Sequence, residues 1–594
     1  MRNFIKMFFA CLLAIGFSFL FFFIIFTMLA SLGSQSSKKS GAKANSVLNL
    51  TLKGEITDRT YDNPFRNLSP MSALTGAISS EPTIGLYDLK NVIKYAKTDD
   101  HIKGIYLNID EAEGGPANMF DLADALEDFK KSGKFIYAYS KESPELNVML
   151  NNIADKYFVN PVGGIEFDGF GTEMEYYKNL MDKLGVEYKV FYVGEYKSAT
   201  ESFRRTDMSP EDKIQRTELL KDIYTEYMTR LAKYTGSTFD QLKSIQDNLS
   251  IIKPEDIVAN KLADGLKYED EVKNEIKTKL GYKKDEDLNL ISYKDYEENN
   301  KDKINKSGEN KIALVFAEGT IDDSKEDEGT IGGEAYVKML QKIEQDKDIK
   351  ALVLRVSSPG GSAFASEQIL HQIQNIKKRI PVVVSMGNYA ASGGYYISCA
   401  ADKIIAEPNT ITGSIGIFGM IPNIRKTLNT KVGVTFDGVK TNDHANYMTL
   451  TNDWDEVEMN AVQKSVEHGY SIFLNRVATG RKMDTAAVNK IARGRVWTGQ
   501  DALNIGLVDE LGNLNTAIKK AEELAKLKSS SVVTYPKSKT MIESLMNQFS
   551  GENESEEAKL FKTLTPLLIK QKNEERLNAV NTLQYLMPFE FKLK

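Results

Sequence analysis

The chain contains the same segment twice, and this duplication is what most constrains its fold. The stretch IKGIYLNID that starts at Ile102 corresponds to IKALVLRVS that starts at Ile349, and the tripeptide ADK recurs at the same spacing, at Ala154 and Ala401. A spacing that is kept over long stretches is typical of a tandem repeat in which each copy folds into the same unit. The sequence therefore predicts two copies of one fold.

The two copies differ at the turns where chemistry is expected. The second copy contains SSPGGSA from Ser357 and NYAASGGYY from Asn388. The first copy has DEAEGGPA and SKESPELNV at these places, so that Glu145 stands where the second copy has Ser392. The loss of these features from one copy predicts an active site that depends mainly on the other.

Composition argues against several classes of function. A formal net charge of −6 at pH 7 gives no basis for nucleic-acid binding. Cys11 lies in an apolar N-terminal run, so Cys399 has no partner for an intramolecular disulfide in the rest of the chain. We expect no metal site and no cofactor, because the histidines are few and scattered: His101, His371, His444 and His468.

The N-terminal run from Met7 to Ala30 is apolar and carries no charge. At ~1.5 Å per helical residue it is long enough to cross a hydrocarbon layer of ~30 Å. It also exceeds the ~7–15 apolar residues of a cleavable signal peptide. We therefore predict an uncleaved single-pass anchor, followed by a linker that completes residues 1–45. The short tail before the span and the large domains after it favour export of those domains.

Beyond the anchor, short runs of β-branched and aromatic residues alternate with amphipathic segments. KGIYLNI and PVVVSMG are typical of strands, whereas MFDLADALEDFKKSG is typical of a helix. This alternation predicts the α/β class, with a largely parallel sheet in each copy. We predict an N-terminal repeat over residues 46–300, a C-terminal repeat over 310–535 and a helical tail over 536–594. The densely charged stretch 283–311 is the predicted linker between the repeats.

In the second copy, two glycine-containing turns each follow a strand and precede a helix. Ser392 lies at the second turn, where the free N–H groups and the dipole of a helix N-terminus stabilise negative charge. Gly393 offers an unhindered N–H, and Gly360 and Gly361 at the first turn let a carbonyl oxygen approach closely. Side by side, the two turns predict a nucleophilic serine with an oxyanion hole.

A serine nucleophile needs a base, and no histidine lies in either turn. A lysine can serve if its pKa falls from ~10.4 towards ~7, which costs roughly 4–5 kcal/mol of differential solvation. Burial away from water has this effect. Composition does not rank the many lysines, so the residues alone predict a serine nucleophile and leave its base open.

The segments RVSSPGGSAFASE, NYAASGGYYIS, ITGSIGIFG and GRVWTGQDALNIGLVDELG resemble the bacterial signal peptide peptidase A family, also called protease IV. EYKSATESFRRTDMSPED, which starts at Glu195, resembles the lysine-bearing segment of that family's long, duplicated form. The resemblance reaches from the anchor to about Leu527. It implies two tandem repeats of the Clp protease/crotonase fold, preceded by an N-terminal transmembrane helix.

By this resemblance Ser392 is the nucleophile and Lys197 the general base, so that a Ser-Lys dyad is assembled from both copies. Ser414 supports the lysine, and the backbone N–H groups of Gly393 and of the two turn glycines form the oxyanion hole. The resemblance also implies a serine endopeptidase that degrades cleaved signal peptides and other apolar peptides. It would act as a homotetramer at the inner membrane, with its catalytic domains on the periplasmic side.

Two other functions are compatible with such a fold. An acyl-CoA hydratase or isomerase of the crotonase type would need a catalytic carboxylate and a site for coenzyme A. A non-catalytic membrane scaffold would have the same fold without a catalytic function. Lys440 is the approximate counterpart of Lys197 in the second copy, and we interpret it as an ordinary surface lysine.

Overall fold

A computed structural model of the chain describes residues 42–60, 83–283, 285–304, 308, 310–325 and 329–537, together with the backbone of Gln584–Leu586. The predicted membrane segment and most of the predicted helical tail lie outside these residues. Within the described part of the chain, no helix combines the length and the apolar character needed to cross a bilayer.

The first half of the described chain is built on a parallel sheet. The strands of this half are β1 (Ser46–Thr57), β2 (Ile84–Gly85), β3 (Ile102–Gly114), β4 (Phe135–Ser143), β5 (Lys156–Ile165), β6 (Glu187–Tyr192), β7 (Gly265–Leu266) and β8 (Leu290–Ser292). The order in the sheet is β2-β1-β3-β4-β5-β7, with β8 also paired to β1. The central strands are near-continuous apolar runs because helices cover both faces of the sheet.

The helices of this half begin and end at residues with clear local causes. The longest begins after Ser209, whose side chain accepts a hydrogen bond from Asp212 N, and it ends at Gly236 in the left-handed conformation. The set is α1 (Leu86–Thr98), α2 (Pro116–Lys130), α3 (Glu145–Asn151), α4 (Lys178–Leu184), α5 (Glu201–Arg204), α6 (Pro210–Thr235), α7 (Phe239–Asp247), α8 (Pro254–Ala259), α9 (Glu269–Leu280) and α10 (Tyr293–Ile304).

The second half repeats the parallel sheet. Its strands are β9 (Lys311–Glu318), β10 (Ile321–Asp322), β11 (Ile331–Gly332), β12 (Ile349–Ser358), β13 (Gly360–Ser362), β14 (Val382–Ala391), β15 (Lys403–Ala406), β16 (Ile411–Gly413), β17 (Phe418–Asn423), β18 (Val496–Thr498), β19 (Glu510–Leu511), β20 (Ser531–Tyr535) and β21 (Gln584–Leu586). The order is β18-β16-β14-β12-β9-β20, with β15 also on β14 and β19 on β15. The pairs are parallel except β16 with β18.

The helices of the second half cover this sheet. The longest begins at a capping box formed by Asp455 and Glu458 and ends at Lys482 in the left-handed conformation. The set is α11 (Gly333–Gln345), α12 (Ala363–Lys377), α13 (Gly393–Ser398), α14 (Arg425–Thr427), α15 (Glu456–Arg481), α16 (Thr485–Ile491), α17 (Gly499–Asn504) and α18 (Leu514–Leu524).

A third sheet joins the two halves, in the order β11-β10-β13-β21-β17-β6. The strand β6 belongs to the first half, yet it pairs antiparallel with β17 of the second, from Tyr192 opposite Phe418 to Glu187 opposite Asn423. The loop that follows β6 is therefore carried into the second half. The strand β21 lies between β13 and β17 and is antiparallel to both.

Each half has its own core of buried apolar side chains, as expected for two copies of one fold. Buried and partly buried polar contacts join the two halves. Arg355 Nε donates to Asp58 Oδ1 at 3.0 Å, and Asn118 N donates to Asn388 Oδ1 at 3.0 Å. The duplication predicted from the sequence and the parallel α/β architecture of each copy are therefore both confirmed.

The charged stretch predicted as a linker is largely structured. It contains β8, which pairs with β1, and α10. The reason is Tyr296, which is fully buried and donates to Asp99 Oδ2 at 2.7 Å, while the charged residues of α10 face outward. This stretch therefore packs against the first repeat.

Candidate active site

Ser392 lies at the turn between β14 and α13. It is fully buried and has a φ of +56°, a conformation that costs a non-glycine residue on the order of 1–3 kcal/mol. Its backbone N–H donates to Gly413 O at 2.8 Å, and its carbonyl accepts from Tyr396 N at 2.8 Å. These bonds hold the serine in a strained conformation at the start of the helix, which is a recurrent feature of functional sites.

Lys197 comes from the other half and reaches Ser392. Its Nζ lies 2.9 Å from Ser392 Oγ, 3.0 Å from Ser414 Oγ and 3.3 Å from Ser414 O. The lysine stands at the start of a 3₁₀ turn over Ser198–Thr200, in the loop that follows β6. The antiparallel pairing of β6 with β17 therefore brings together two residues that are far apart in the sequence.

Burial controls the charge of this lysine. The Lys197 side chain is fully buried, and its removal from water holds the pKa of the amine well below the ordinary lysine value. Burial acts in this direction because it penalises the ammonium form relative to the neutral amine. A neutral amine close to a hydroxyl is able to accept its proton.

The glycine turn of the second copy lies beside Ser392. Gly360 has a φ of +101°, and its N–H donates to Ser358 Oγ at 3.1 Å. A Cβ atom at Gly393 would lie 3.1 Å from Gly361 N, so these two glycines are immediate neighbours. The structure thus places the glycine turn next to the turn that carries the serine, so that the predicted oxyanion-hole residues lie together.

Other residues predicted from the sequence lie elsewhere. Lys440 is exposed, and its Nζ donates to Asp443 O at 3.2 Å. His444 lies with Asp455 and Glu458 in a group whose spacing suits a metal ion. The capping box of α15 accounts for this group, because Glu458 N donates to Asp455 Oδ1 and Asp455 N donates to Glu458 Oε2.

Reasoning from the sequence missed two residues around the lysine. Gln215, on α6, donates from Nε2 to Tyr196 O at 3.2 Å. Gly494 packs against the Lys197 backbone, since a Cβ atom there would lie 2.6 Å from Lys197 N. Gly494 does lie in the GRVWTG segment noted above, but Gln215 has no sequence signal that singles it out.

Comparison of the sequence with family profiles gives a match in each repeat. The profile described as "Peptidase family S49" matches residues 128–283 and 374–528. The profile described as "Clp protease" matches residues 312–412. Both matches agree with the duplicated parallel architecture.

Curated relatives match over most of the chain. "Protease 4" from Haemophilus influenzae is 35% identical over 529 residues, which cover 87% of this chain and 85% of that protein. "Serine protease SPPA, chloroplastic" from Arabidopsis thaliana is 30% identical over 498 residues, 83% of this chain and 71% of that one. "Putative signal peptide peptidase SppA" from Enterococcus faecium is 39% identical over 201 residues, 34% of this chain and 58% of that one.

The fold and these matches define the protein as an α/β serine peptidase with a duplicated Clp-protease-like fold. The chain belongs to peptidase family S49. The resemblance drawn from the sequence motifs is thereby confirmed. The two alternatives, an acyl-CoA hydratase or isomerase and a non-catalytic scaffold, find no support.

Proposed function

We propose that Ser392 and Lys197 form the catalytic dyad of this serine peptidase. The observation that carries the proposal is the 2.9 Å distance between Lys197 Nζ and Ser392 Oγ, with both side chains fully buried. Ser414 Oγ, 3.0 Å from Nζ, orients the amine. The lowered pKa of Lys197, caused by burial, supports its role as a base at neutral pH.

In the proposed reaction, neutral Lys197 takes the proton of Ser392 while the serine oxygen attacks a peptide carbonyl. The N–H groups of Gly393 and Gly361 hold the oxyanion that forms. Gly360 belongs to the same turn, although its own N–H is directed to Ser358 Oγ. The lysine ammonium then protonates the leaving amine, and a water molecule deprotonated by Lys197 hydrolyses the acyl-enzyme.

The substrate of this reaction is an extended peptide. Supporting this proposal, the short strand β21 pairs antiparallel with β13, from Gly360 opposite Leu586 to Ser362 opposite Gln584. The strand beside the glycine turn therefore pairs with an extended backbone, and strand pairing of this kind is a common mode of peptide recognition.

We further propose that the enzyme acts on cleaved signal peptides and other apolar peptides at a membrane. The uncharged run from Met7 to Ala30 and the naming of the Enterococcus faecium relative as a signal peptide peptidase support this substrate class. The proposed arrangement is an inner-membrane homotetramer with periplasmic catalytic domains. Its proposed segments are 1–45 for anchor and linker, 46–300 and 310–535 for the repeats, and 536–594 for the tail.

The dyad is tested by Lys197→Met, which keeps the length of the side chain and removes the amine, alongside Ser392→Ala. We expect each variant to lose roughly 10⁴-fold or more in kcat on a small peptide ester, as is usual when one member of a catalytic unit is removed. A serine-directed phosphonate should add to Ser392 in the wild type, as seen by mass spectrometry, and much more slowly in Lys197→Met.

The matched control for the lysine is Lys440→Met. Lys440 is exposed, and its Nζ donates to Asp443 O, three residues away. Because this contact is local, the variant should keep wild-type activity. Circular dichroism and thermal melting establish that all three variants are folded. Wild-type turnover by either Lys197→Met or Ser392→Ala would disprove the dyad.

A further inference from the structure

The loops that carry the three polar residues of the site, Ser392, Ser414 and Lys197, all contact one short segment, residues 493–496. Ser414 N donates to Arg495 O at 2.7 Å, and Gly494 N donates to Ile415 O at 2.9 Å. Val496 is paired with Gly413, whose carbonyl accepts the hydrogen bond of Ser392 N at 2.8 Å. The segment therefore holds the loops of both serines.

The same segment also holds the lysine loop, which belongs to the other repeat. Tyr196 N donates to Arg493 O at 3.1 Å. Glu195 and Arg493 form an ion pair at 2.6 Å. A Cβ atom at Gly494 would lie 2.6 Å from Lys197 N and 2.7 Å from Lys197 Cβ. The backbone of Lys197 thus packs directly against Gly494, where there is no room for a side chain.

Gln215 connects the two sides of this contact through a single buried amide. Its Nε2 lies 3.2 Å from Tyr196 O and 3.2 Å from Ser198 Oγ, on either side of Lys197, and 3.0 Å from Asp212 Oδ1 of its own helix. Its Oε1 accepts from Val496 N at 3.3 Å. Because one amide supplies both donor and acceptor, Gln215 fixes the lysine loop relative to residues 493–496.

From this geometry we propose that Gly494 and Gln215 are positioning residues that set Lys197 against Ser392 and Ser414. The inference rests on the proposed dyad and adds to it the device that aligns two repeats at one point. Neither residue touches the reacting atoms. Gly494 acts by allowing close approach of the lysine backbone, and Gln215 acts by hydrogen bonding to both neighbours of the lysine.

The charged groups packed around the lysine loop are paired with one another. They are Asp212 with Arg216 at 2.8 Å, Glu195 with Arg493 at 2.6 Å, Glu201 with Arg204 at 3.4 Å, and Arg495, which lies 5.1 Å from the centre of the Tyr196 ring, with Glu218 at 2.5 Å. A shift of the lysine towards water would therefore act on its pKa mainly by restoring hydration, which raises the pKa. Each unit of increase leaves tenfold fewer neutral amines at a pH below the pKa.

The test compares Gly494→Ala and Gln215→Met with the wild type, using a small peptide ester over a range of pH. We expect kcat per active site to fall at least tenfold near neutral pH in both variants, with KM changed less than twofold. The acidic limb of the kcat profile should move to higher pH. Active sites are counted by phosphonate titration, so that misfolded protein does not contribute to the rate.

Gly506→Ala is the matched control for the glycine. Gly506 has a φ of +82°, against +83° for Gly494, but the nearest atom to a Cβ there is Met483 Sδ at 4.0 Å. Both variants place an alanine at the same positive φ, and only Gly494→Ala pushes on Lys197. Gly506→Ala should therefore keep kcat within twofold and leave the pH profile in place.

The outcomes separate this inference from the dyad itself. If kcat per active site stays within twofold of wild type in both variants, or if the acidic limb does not move, the positioning role is wrong while the dyad stands. If Ser392→Ala keeps its turnover, the dyad fails and the positioning role fails with it. Gln215→Met keeps the inference testable if Gly494→Ala does not fold, because it adds no atom against the lysine backbone.

Discussion

Positions 145 and 392 occupy the same place in the two repeats, and they are used in opposite ways. Each follows a central strand and stands at the start of a short helix. Ser392 is strained, with a φ of +56°, and its hydroxyl meets the lysine of the other repeat. Glu145 follows Pro144, whose backbone is extended. The Glu145 carboxylate accepts hydrogen bonds from Asp168 N at 2.9 Å and Gly169 N at 3.2 Å.

The glycine turns show the same divergence. In the second repeat, the turn at Gly361 lies beside Gly393 and next to an added strand. In the first repeat, a Cβ atom at Gly115 would overlap the side chain of Asn388. The space beside Gly115, at the corresponding turn of the first repeat, is thus taken by a side chain from the other repeat. One copy of the fold presents the serine, while the other has become a support that supplies the lysine.

The strongest test of this division of roles between the repeats is to place a serine at position 145 of the first repeat. The double variant Glu145→Ser/Ser392→Ala should show no peptidase activity, a loss of roughly 10⁴-fold or more. The introduced hydroxyl would face the Asp168 and Gly169 N–H groups in place of the lysine, and the space beside Gly115 there is taken by Asn388. Hydrolysis of a peptide ester, normalised to folded protein, measures the outcome.

The single variant Glu145→Ser is the companion measurement. With Ser392 intact it should keep turnover per active site, because Glu145 touches none of the groups around Lys197 described above. Recovery of activity in the double variant would mean that the first repeat retains a working site. The asymmetry described here would then be wrong.

Much of the fold follows from local patterns in the sequence. Alternating strands and helices predict the parallel sheets, and the recurrence of IKGIYLNID as IKALVLRVS predicts the duplication. The turn at Ser392 is visible for the same reason, since a strand runs into ASGG and a helix follows. The tail prediction is untested over most of its length, and among the described residues beyond Tyr535 a strand forms over Gln584–Leu586.

Contacts between the repeats were not predictable from local patterns. The pairing of β6 with β17 joins residues more than 200 positions apart, and nothing in GEYKSAT indicates which strand lies opposite. Lys197 was therefore reached through family resemblance, because the many lysines look alike in sequence. Gln215 was missed since its role depends on simultaneous contacts to Tyr196 and Val496, which only the folded chain brings together.

The buried ion pair between the repeats contributes to the stability of the fold. Arg355 and Asp58 form an ion pair at 2.9 Å with side chains only 1% and 2% exposed, and Arg355 also donates to Ser385 Oγ at 2.9 Å. Arg355→Met leaves a carboxylate buried without its partner, which is expected to cost about 3–5 kcal/mol. The melting temperature should fall clearly, while turnover per titrated active site stays near wild type.

An exposed ion pair provides the control for this variant. Lys53 and Glu111 lie in the first repeat with side chains 56% and 64% exposed, so Lys53→Met should change stability by less than about 1 kcal/mol. If Arg355→Met were as harmless as Lys53→Met, the buried pair would not hold the repeats together. The double variant Arg355→Met/Asp58→Asn should recover part of the loss, because no uncompensated charge is left.

The smallest expected effect concerns the ionisation of Glu145 and how it changes stability with pH. Burial is the main cause that raises the pKa of Glu145, to about 7, and the N–H groups of Gly169 and Asp168 counteract it in part. The unfolded value is near 4.3. Between these values the folded chain binds more protons than the unfolded chain, so this group stabilises the fold below about pH 4 and loses that contribution as pH rises through 7.

Glu145→Gln removes the titration and keeps the shape of the side chain. Between pH 5 and pH 8 the parent protein should lose roughly 2–3 kcal/mol of stability that the variant does not lose. Melting temperatures at the two pH values measure this difference, best in a Ser392→Ala background where self-digestion is prevented. Parallel pH dependence in parent and variant would mean that Glu145 is ionised throughout. The counterpart of the serine would then be an ordinary buried carboxylate anchoring residues 168–169, with no proton held in the fold at neutral pH.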